Sequence, residues 1–310
     1  MQAPVVLFVF ARPEHTKRTL DALSKNLTAD KTDLYVYADA ARGAADQCRV
    51  SSVREVVGSA KGFRSVTLVQ RETNYGLARN IIGGVTDVCS KHGRVIVLED
   101  DIVTGKYFLR HMNDALDIYQ DHDNVASISG YSFPTSRDLP ETFFSRLCTS
   151  WGWATWQRAW DDFEEDGRVL LNSIRALGKT DDFDHYGTYP FTRMLEDWSE
   201  GRNDSWAVRW YATNFLNERL TLFPGKTLVE NIGYDGSGTH CGRGKDFATT
   251  ITNQWQPCIE IDIKESKLAA HVIAEFFKER RSRFSARGLL RRVRDRLRMS
   301  AKSMIDKGEG

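Results

Sequence analysis

The chain has 310 residues of ordinary globular composition and a formal net charge of +1, enough length to bury a large core in one big domain or two. No apolar run approaches the roughly 20 residues that span a bilayer, and Met1-Gln2-Ala3-Pro4 puts no charged segment ahead of Val5, so neither a transmembrane helix nor a signal peptide is expected. The charge is uneven: from Lys278 to Lys302 there are eleven Lys/Arg against two acids, and the remainder is acidic. Five cysteines (Cys48, Cys89, Cys148, Cys241, Cys258) are odd in number and lack CxxC spacing, the pattern of reduced structural thiols in a cytoplasmic protein.

Val5 to Phe10 is a continuous apolar run that breaks at Ala11-Arg12-Pro13 before a helical pattern from Glu14 to Leu23. Leu34 to Tyr37 reads as a second strand with Asp39 just past its end, followed by a helix over Val50 to Gly58. Ser65 to Gln70 is a third strand, and Asn74-Tyr75-Gly76-Leu77-Ala78-Arg79-Asn80 opens a helix to about Cys89. Arg94 to Leu98 then runs straight into Glu99, Asp100 and Asp101. An apolar run without polar alternation is a strand buried on both faces, and strands alternating with helices predict a doubly wound α/β sheet. Ligands bind at the carboxyl edge of such sheets. Three adjacent carboxylates there repel one another, and a hard divalent cation, Mg²⁺ or Mn²⁺, relieves the repulsion through oxygen ligands. An acidic turn capping a helix is the plainer reading of the same residues.

Downstream, Tyr107 to Gln120 is an amphipathic helix, Val125 to Ile128 a strand and Ser132 to Thr142 a loop. Trp156 and Trp160, four apart, suit a helix face in the core. Trp151-Gly152-Trp153 instead suggests a sugar-binding wall, since glycine permits close backbone approach and aromatic faces suit sugar rings. Asp161 to Trp198 is polar and weakly periodic, which predicts a lid or acceptor-side segment. Asp204-Ser205-Trp206 precedes a helix over Ala207 to Glu218, so Asp204 or Ser205 is the expected cap. Leu220 to Phe223 and Thr227 to Val229 are short strands, and Asn231 to His240 is a glycine-rich loop whose amides suit a phosphate.

The order of these features resembles the GT-A fold of nucleotide-sugar glycosyltransferases, most closely the N-acetylglucosaminyltransferase I type and related bacterial sugar transferases. The resemblance rests on Arg12 after the first strand, the run Val97-Leu98-Glu99-Asp100-Asp101, the aromatic helix after it and Ser150-Trp151-Gly152-Trp153, and covers about residues 4 to 240. It implies a Rossmann-like, mixed and mainly parallel sheet flanked by helices, ending in a helical tail. It also implies a nucleotide-sugar-binding half over 1–130, an acceptor-side half over 131–260 and the tail over 261–310. The implied reaction is metal-dependent transfer of a hexosyl or N-acetylhexosaminyl unit, with inversion, from a nucleoside diphosphate donor, UDP by resemblance. The acceptor would be a hydroxyl of a glycan or lipid-linked glycan. Asp101 would hold Mn²⁺ or Mg²⁺, with His240 as a second ligand. Glu99 and Asp100 would face donor sugar and ribose, and Arg12, Asp39, Leu77 and Arg79 the nucleotide. Trp151, Gly152 and Trp153 would wall the donor or acceptor sugar. Asp204 matches the catalytic base, with Asp197 a competing match. A nucleotidyltransferase is the first rival, but Ala11 to Lys17 contains no glycine for a phosphate loop. A non-catalytic sugar- or nucleic-acid-binding protein is the second, and clustered like charges give it no purpose.

In the tail, Leu290, Val293, Leu297 and Met304 share a helical stripe while arginines fill most other positions. A basic amphipathic helix of this kind suits an anionic membrane surface, at about 1 kcal/mol per basic group near it. A stripe packing on a second copy of the chain is the alternative. Nucleic acid is disfavoured, since Phe284 alone is available to stack on bases. The expected outcome is that the full chain pellets with anionic liposomes at low salt and a chain ending at residue 277 does not; equal pelleting of both would leave self-association.

Overall fold

The computed structural model describes residues 2–236 and 247–282. Along the chain, β1 (Val5–Val9), α1 (Pro13–Leu23), β2 (Asp33–Ala38), α2 (Ala44–Gly58), β3 (Ser65–Gln70), α3 (Leu77–His92) and β4 (Arg94–Glu99) alternate as the sequence predicts. There follow β5 (Ile102–Thr104), α4 (Phe108–Ile118), β6 (Val125–Ser129), β7 (Thr142–Ser145), β8 (Trp153–Trp156) and α5 (Gln157–Trp160). Next come α6 (Gly167–Ala176), α7 (Thr180–Phe183), α8 (Phe191–Ser199), α9 (Trp206–Leu216), β9 (Leu220–Pro224) and β10 (Val229–Asn231). Residues 267–282 are helical and are called α10.

Eight strands form one sheet in the order β3-β2-β1-β4-β8-β6-β9-β7, and β5 pairs with β10 apart from it. β3, β2, β1 and β4 are parallel neighbours. β8 runs antiparallel between β4 and β6, β6 and β9 are parallel, and β7 lies antiparallel to β9. The fold is thus a mixed, mainly parallel α/β sheet flanked by helices. The chain travels outward from β1 through β2 to β3 and returns to place β4 on the other side of β1, which opens a crevice above their carboxyl ends. Phe8 of β1 is level with Glu99 of β4, and Val9 with Ala38 of β2, so the residues that follow all three strands emerge at one edge.

Period-two alternation divides the sheet's side chains between two layers. Val5, Leu7 and Val9 pack with Leu20 and Leu23 of α1, Val53 and Val57 of α2 and much of α4. Val6 and Phe8 pack on the opposite face with Ile81, Val85 and Val88 of α3 and with Trp160, Trp206 and Trp210. A third core holds Leu170, Leu171 and Ile174 of α6, Leu195 of α8, Tyr211 and Phe215 of α9, and Ile273 and Phe277 of α10.

Several expectations change here. The 161–198 segment, read as weakly periodic, carries three helices: the few apolar residues on α6 and α8 are buried, and the surrounding acids masked that period. Asp166 caps α6 by accepting from Arg168 N at 2.9 Å. The loop assigned to 132–142 gives way to β7 from Thr142, and the last short strand lies at Val229–Asn231 rather than 227–229. β8, from the expected acceptor half, sits between β4 and β6 of the expected donor half, so the sheet is continuous across residue 130. Trp153 is fully buried and is a core residue rather than part of a sugar wall. On β8 it points to the α3 side, where its ring stacks on Trp206 at 5.3 Å and meets Trp160 and Trp210 at 5.8 and 5.9 Å. Among the described residues no helix is long and apolar enough to cross a membrane, and Cys48, Cys89, Cys148 and Cys258 are free thiols. His240 and Leu290 to Met304 lie outside the described residues.

Truncating this central ring removes contacts in the layer that seats α3 and α9 on the sheet. Trp153→Ala is expected to lower the free energy of unfolding in urea by about 3–5 kcal/mol, the usual cost of deleting a large buried aromatic.

Candidate active site

A cleft of about 620 Å³ opens above the carboxyl ends of β1, β2 and β4. Its floor is the acidic triplet. β4 is buried from Val95 to Leu98 and ends at Glu99, and the chain turns at Asp100 and Asp101, which are only 3% and 6% exposed. Arg12, in the loop after β1, faces both. Its Nη2 pairs with Asp100 Oδ1 and lies 2.9 Å from Asp101 Oδ2, and its Nε donates to Asp100 Oδ2 at 3.3 Å. Burial draws the Arg12 pKa down, but the two carboxylates outweigh it and hold the guanidinium above its ordinary value. Burial raises the Asp100 pKa, opposed by Arg12. Glu99 is half-buried at the cleft wall and has no hydrogen-bond or ion-pair partner among the described residues. Burial and the charges of Asp101 and Asp100 push its carboxyl up to about 8.

Asp39 also lines the cleft, but its carboxylate is engaged by the chain itself. Oδ1 accepts from Ala40 N at 2.9 Å and Tyr75 N at 2.8 Å, and Oδ2 from Asn74 Nδ2 at 3.0 Å and Gly76 N at 2.9 Å. Asp39 therefore clasps the loop that starts α3, which presents Leu77 at the rim with 40% exposure. Arg79 does not line the cleft; it stacks on Tyr75 with its guanidinium carbon 4.0 Å from the ring centre.

The rest of the cleft lining comes from the second half of the chain. Trp151 is half-buried, lines the cleft and is steadied by edge-on contacts to Tyr131 at 4.6 Å and to Tyr234 and Phe247, both at 5.9 Å. Gly152 has φ +62°, donates no side chain to the cleft and accepts from Gly130 N at 2.6 Å through its carbonyl; a Cβ there would lie 2.9 Å from Val229. Glycine is needed at that turn for packing. Of the predicted trio, only Trp151 reaches the cleft.

Asp204 and Ser205 divide the work the sequence left between them. Ser205 is the cap of α9, accepting from Val208 N at 3.3 Å. Asp204 is thereby released and lines the cleft with its side chain 70% exposed. Asn203 sets the turn, accepting from Ser205 N at 3.0 Å and donating to Met194 O at 2.9 Å. The competing Asp197 is tied to Arg193 at 3.1 Å and to Arg202, and it does not line the cleft.

Sequence reading overlooked several cleft residues. Arg42, with its guanidinium carbon 4.9 Å from the Phe10 ring centre, lines the cleft with Asp46 and Arg49; Arg42 followed a strand end, the one signal available. Gly233 presses against Asp101, where a Cβ would collide with Oδ2, and Ile232 N donates to Asp101 O at 2.9 Å. The start of the glycine-rich loop thus rests on the last acid of the triplet. Among the described residues no three His, Cys, Asp or Glu groups converge as a complete metal cage. The donor chemistry nevertheless fits a hard divalent ion that reaches protein through one or two carboxylates and takes its other ligands from phosphate and water. Arg12 Nη1, buried without a partner, is a donor facing no acceptor.

No protein-family model and no curated protein matches this sequence. Solved structures with a distant likeness include S. aureus TarS, at 15% identity and TM-score 0.42 over 74% of this chain and 36% of that one. A 1–349 form of TarS gives 14% identity and TM-score 0.43, over 74% and 60%. Glucosyl-3-phosphoglycerate synthase from Mycobacterium tuberculosis, in complex with Mn²⁺, UDP and glucosyl-3-phosphoglycerate, gives 11% identity and TM-score 0.35, over 57% and 67%. The chain thus spans 36% of the one TarS chain and 60% of its 1–349 form. Likenesses this distant assign no activity.

The raised Glu99 pKa makes stability depend on pH. The folded state binds this proton more tightly than the unfolded one, so the Glu99 contribution to stability falls as pH rises from 4.5 towards about 8. Burial pushes His111 and His185 down to about 4, which opposes that fall below 6.5. In chelator-treated protein the melting temperature should therefore fall from pH 6.5 to 8, and Glu99→Gln should flatten that fall, as read by thermal scans at the two pH values.

Proposed function

We propose that this protein is a metal-dependent, inverting glycosyltransferase that moves a sugar from a nucleoside diphosphate, with UDP the preferred donor, to a hydroxyl of a glycan or lipid-linked glycan. The observation that carries the reading is one cleft lined by two dissimilar sets of residues: an acidic triplet at a strand end, two of whose carboxylates pair with Arg12, and an exposed carboxylate, Asp204, released from capping duty by Ser205.

The strand-end wall suits the donor. Asp101 would hold Mn²⁺ or Mg²⁺, with His240 as a second candidate ligand, and the ion would neutralise charge that builds on the departing diphosphate. Arg12 supports the same wall by keeping Asp100 and Asp101 together. Glu99 and Asp100 would meet sugar and ribose hydroxyls, and a protonated Glu99 can donate as well as accept a hydrogen bond. Asp39 would act on the base through the 74–76 loop it clasps, with Leu77 at the rim. Trp151 offers the face against which a sugar ring packs.

Asp204 would take the acceptor proton as the acceptor oxygen bonds to the anomeric carbon and the bond to the diphosphate oxygen breaks on the opposite side. That geometry inverts the anomeric centre. An acceptor carried on lipid would give the basic tail its purpose, at the cytoplasmic face of an anionic membrane.

Two substitutions separate the roles. Asp101→Asn should abolish Mn²⁺-dependent release of UDP from UDP-sugars and remove the Mn²⁺-dependent stabilisation by UDP, with the fold intact by circular dichroism; normal turnover would refute the metal role. Asp204→Asn should lower turnover by about 10² to 10⁴, the range for losing a general base, while UDP affinity by calorimetry stays near that of the unaltered protein.

A further inference from the structure

Arg209 of α9 lies behind Asp204 and is only 4% exposed. A guanidinium this deep requires its charge and its N–H groups to be matched. Nη1 donates to Glu165 O at 2.8 Å, Nε donates to Ser205 O at 3.2 Å, and Nη2 faces Asp204 Oδ1 at 3.7 Å. The rings of Trp198 and Phe163 flank it, with centres 5.0 and 5.9 Å from its guanidinium carbon. One side chain therefore ties together the turn before α6, the end of α8 and the start of α9. Burial draws its pKa down and the Asp204 charge opposes this most. Among the described residues Asp204 is its one carboxylate partner.

We propose that Arg209 is the positioning residue for Asp204, fixing that carboxylate at the cleft wall by clamping the Ser205 backbone beneath it and attracting its charge from behind. The inference rests on the reading of Asp204 as the base. The separation of 3.7 Å is too long for a hydrogen bond, so the attraction orients the carboxylate while leaving its lone pairs for an acceptor hydroxyl. Three partners in three directions suit the planar fork of arginine; a lysine supplies the charge but cannot reach all of them.

A double-mutant cycle with Asp204→Asn and Arg209→Gln tests this, read as Mn²⁺-dependent release of UDP from UDP-glucose and UDP-N-acetylglucosamine. Arg209→Gln keeps a donor for the Ser205 carbonyl and removes the charge. It should lower kcat by at least about 10-fold with the donor KM nearly unchanged, the split expected for an interaction felt only during turnover. In the Asp204→Asn background it should cost nothing further, since residues acting through one another are not additive. Arg209→Lys should recover part of kcat in the first background and none in the second. Melting curves accompany each variant, and if Arg209→Gln loses its cooperative melt, Arg209→Lys carries the same cycle. Independent, multiplicative losses, or wild-type kcat in the single Arg209 variants, would overturn the positioning role. Full turnover by Asp204→Asn would instead overturn the base assignment itself.

Discussion

The cleft depends on one imbalance of charge. Three successive carboxyl groups close a buried strand, and one guanidinium pairs with two of them. Arg12 draws Asp100 and Asp101 together, two carboxylates against one guanidinium, while burial and these two neighbours push the Glu99 carboxyl up to about 8. The residual negative charge is what makes a divalent cation a sensible guest there. The arrangement is possible only because β1 and β4 are adjacent and parallel with level ends, which places the loop bearing Arg12 beside the turn bearing the acids.

The two walls are held by different physics. The strand-end wall inherits the rigidity of the parallel sheet, and Asp39 extends it by closing three hydrogen bonds around the start of α3. The opposite wall is built on helices, which carry no ladder between them. It relies on side chains for its order: the Asn203 turn, the Ser205 cap, and Arg209 reaching carbonyls on two segments. A charge buried for that purpose is costly unless its partners are all present.

Behind the cleft, the tryptophans act as the spacer between sheet and helices. Trp153 on β8, Trp160 after it and Trp206 and Trp210 on α9 form one group of rings in mutual contact. Trp206 belongs both to this group and to the cleft lining, so packing in the core fixes where α9 begins, and with it the position of the residue two places earlier, Asp204.

The sequence by itself determined the alternation of strands and helices up to the acids, because unbroken apolar runs have no other comfortable place than the middle of a sheet. It also determined which edge would carry Arg12, Asp39 and the triplet, since each directly follows a strand. Other features required the tertiary structure. Trp151 and Trp153 are chemically alike and two residues apart, and only the turn at Gly152 and the pairing of β8 decide that one reaches the cleft and the other the core. The order within 161–198 was hidden because a few apolar residues carry each helix amid many acids, and their value depends on a third core assembled from α9 and α10. Asp204 and Ser205 are both good caps in isolation; the backbone chose Ser205, and that choice frees the carboxylate. Arg209 carried no sequence signal, because its partners are carbonyls and rings brought together from distant positions. Local pattern fixes what lies along a strand or helix, whereas a site made of facing walls exists only once the chain has folded back on itself.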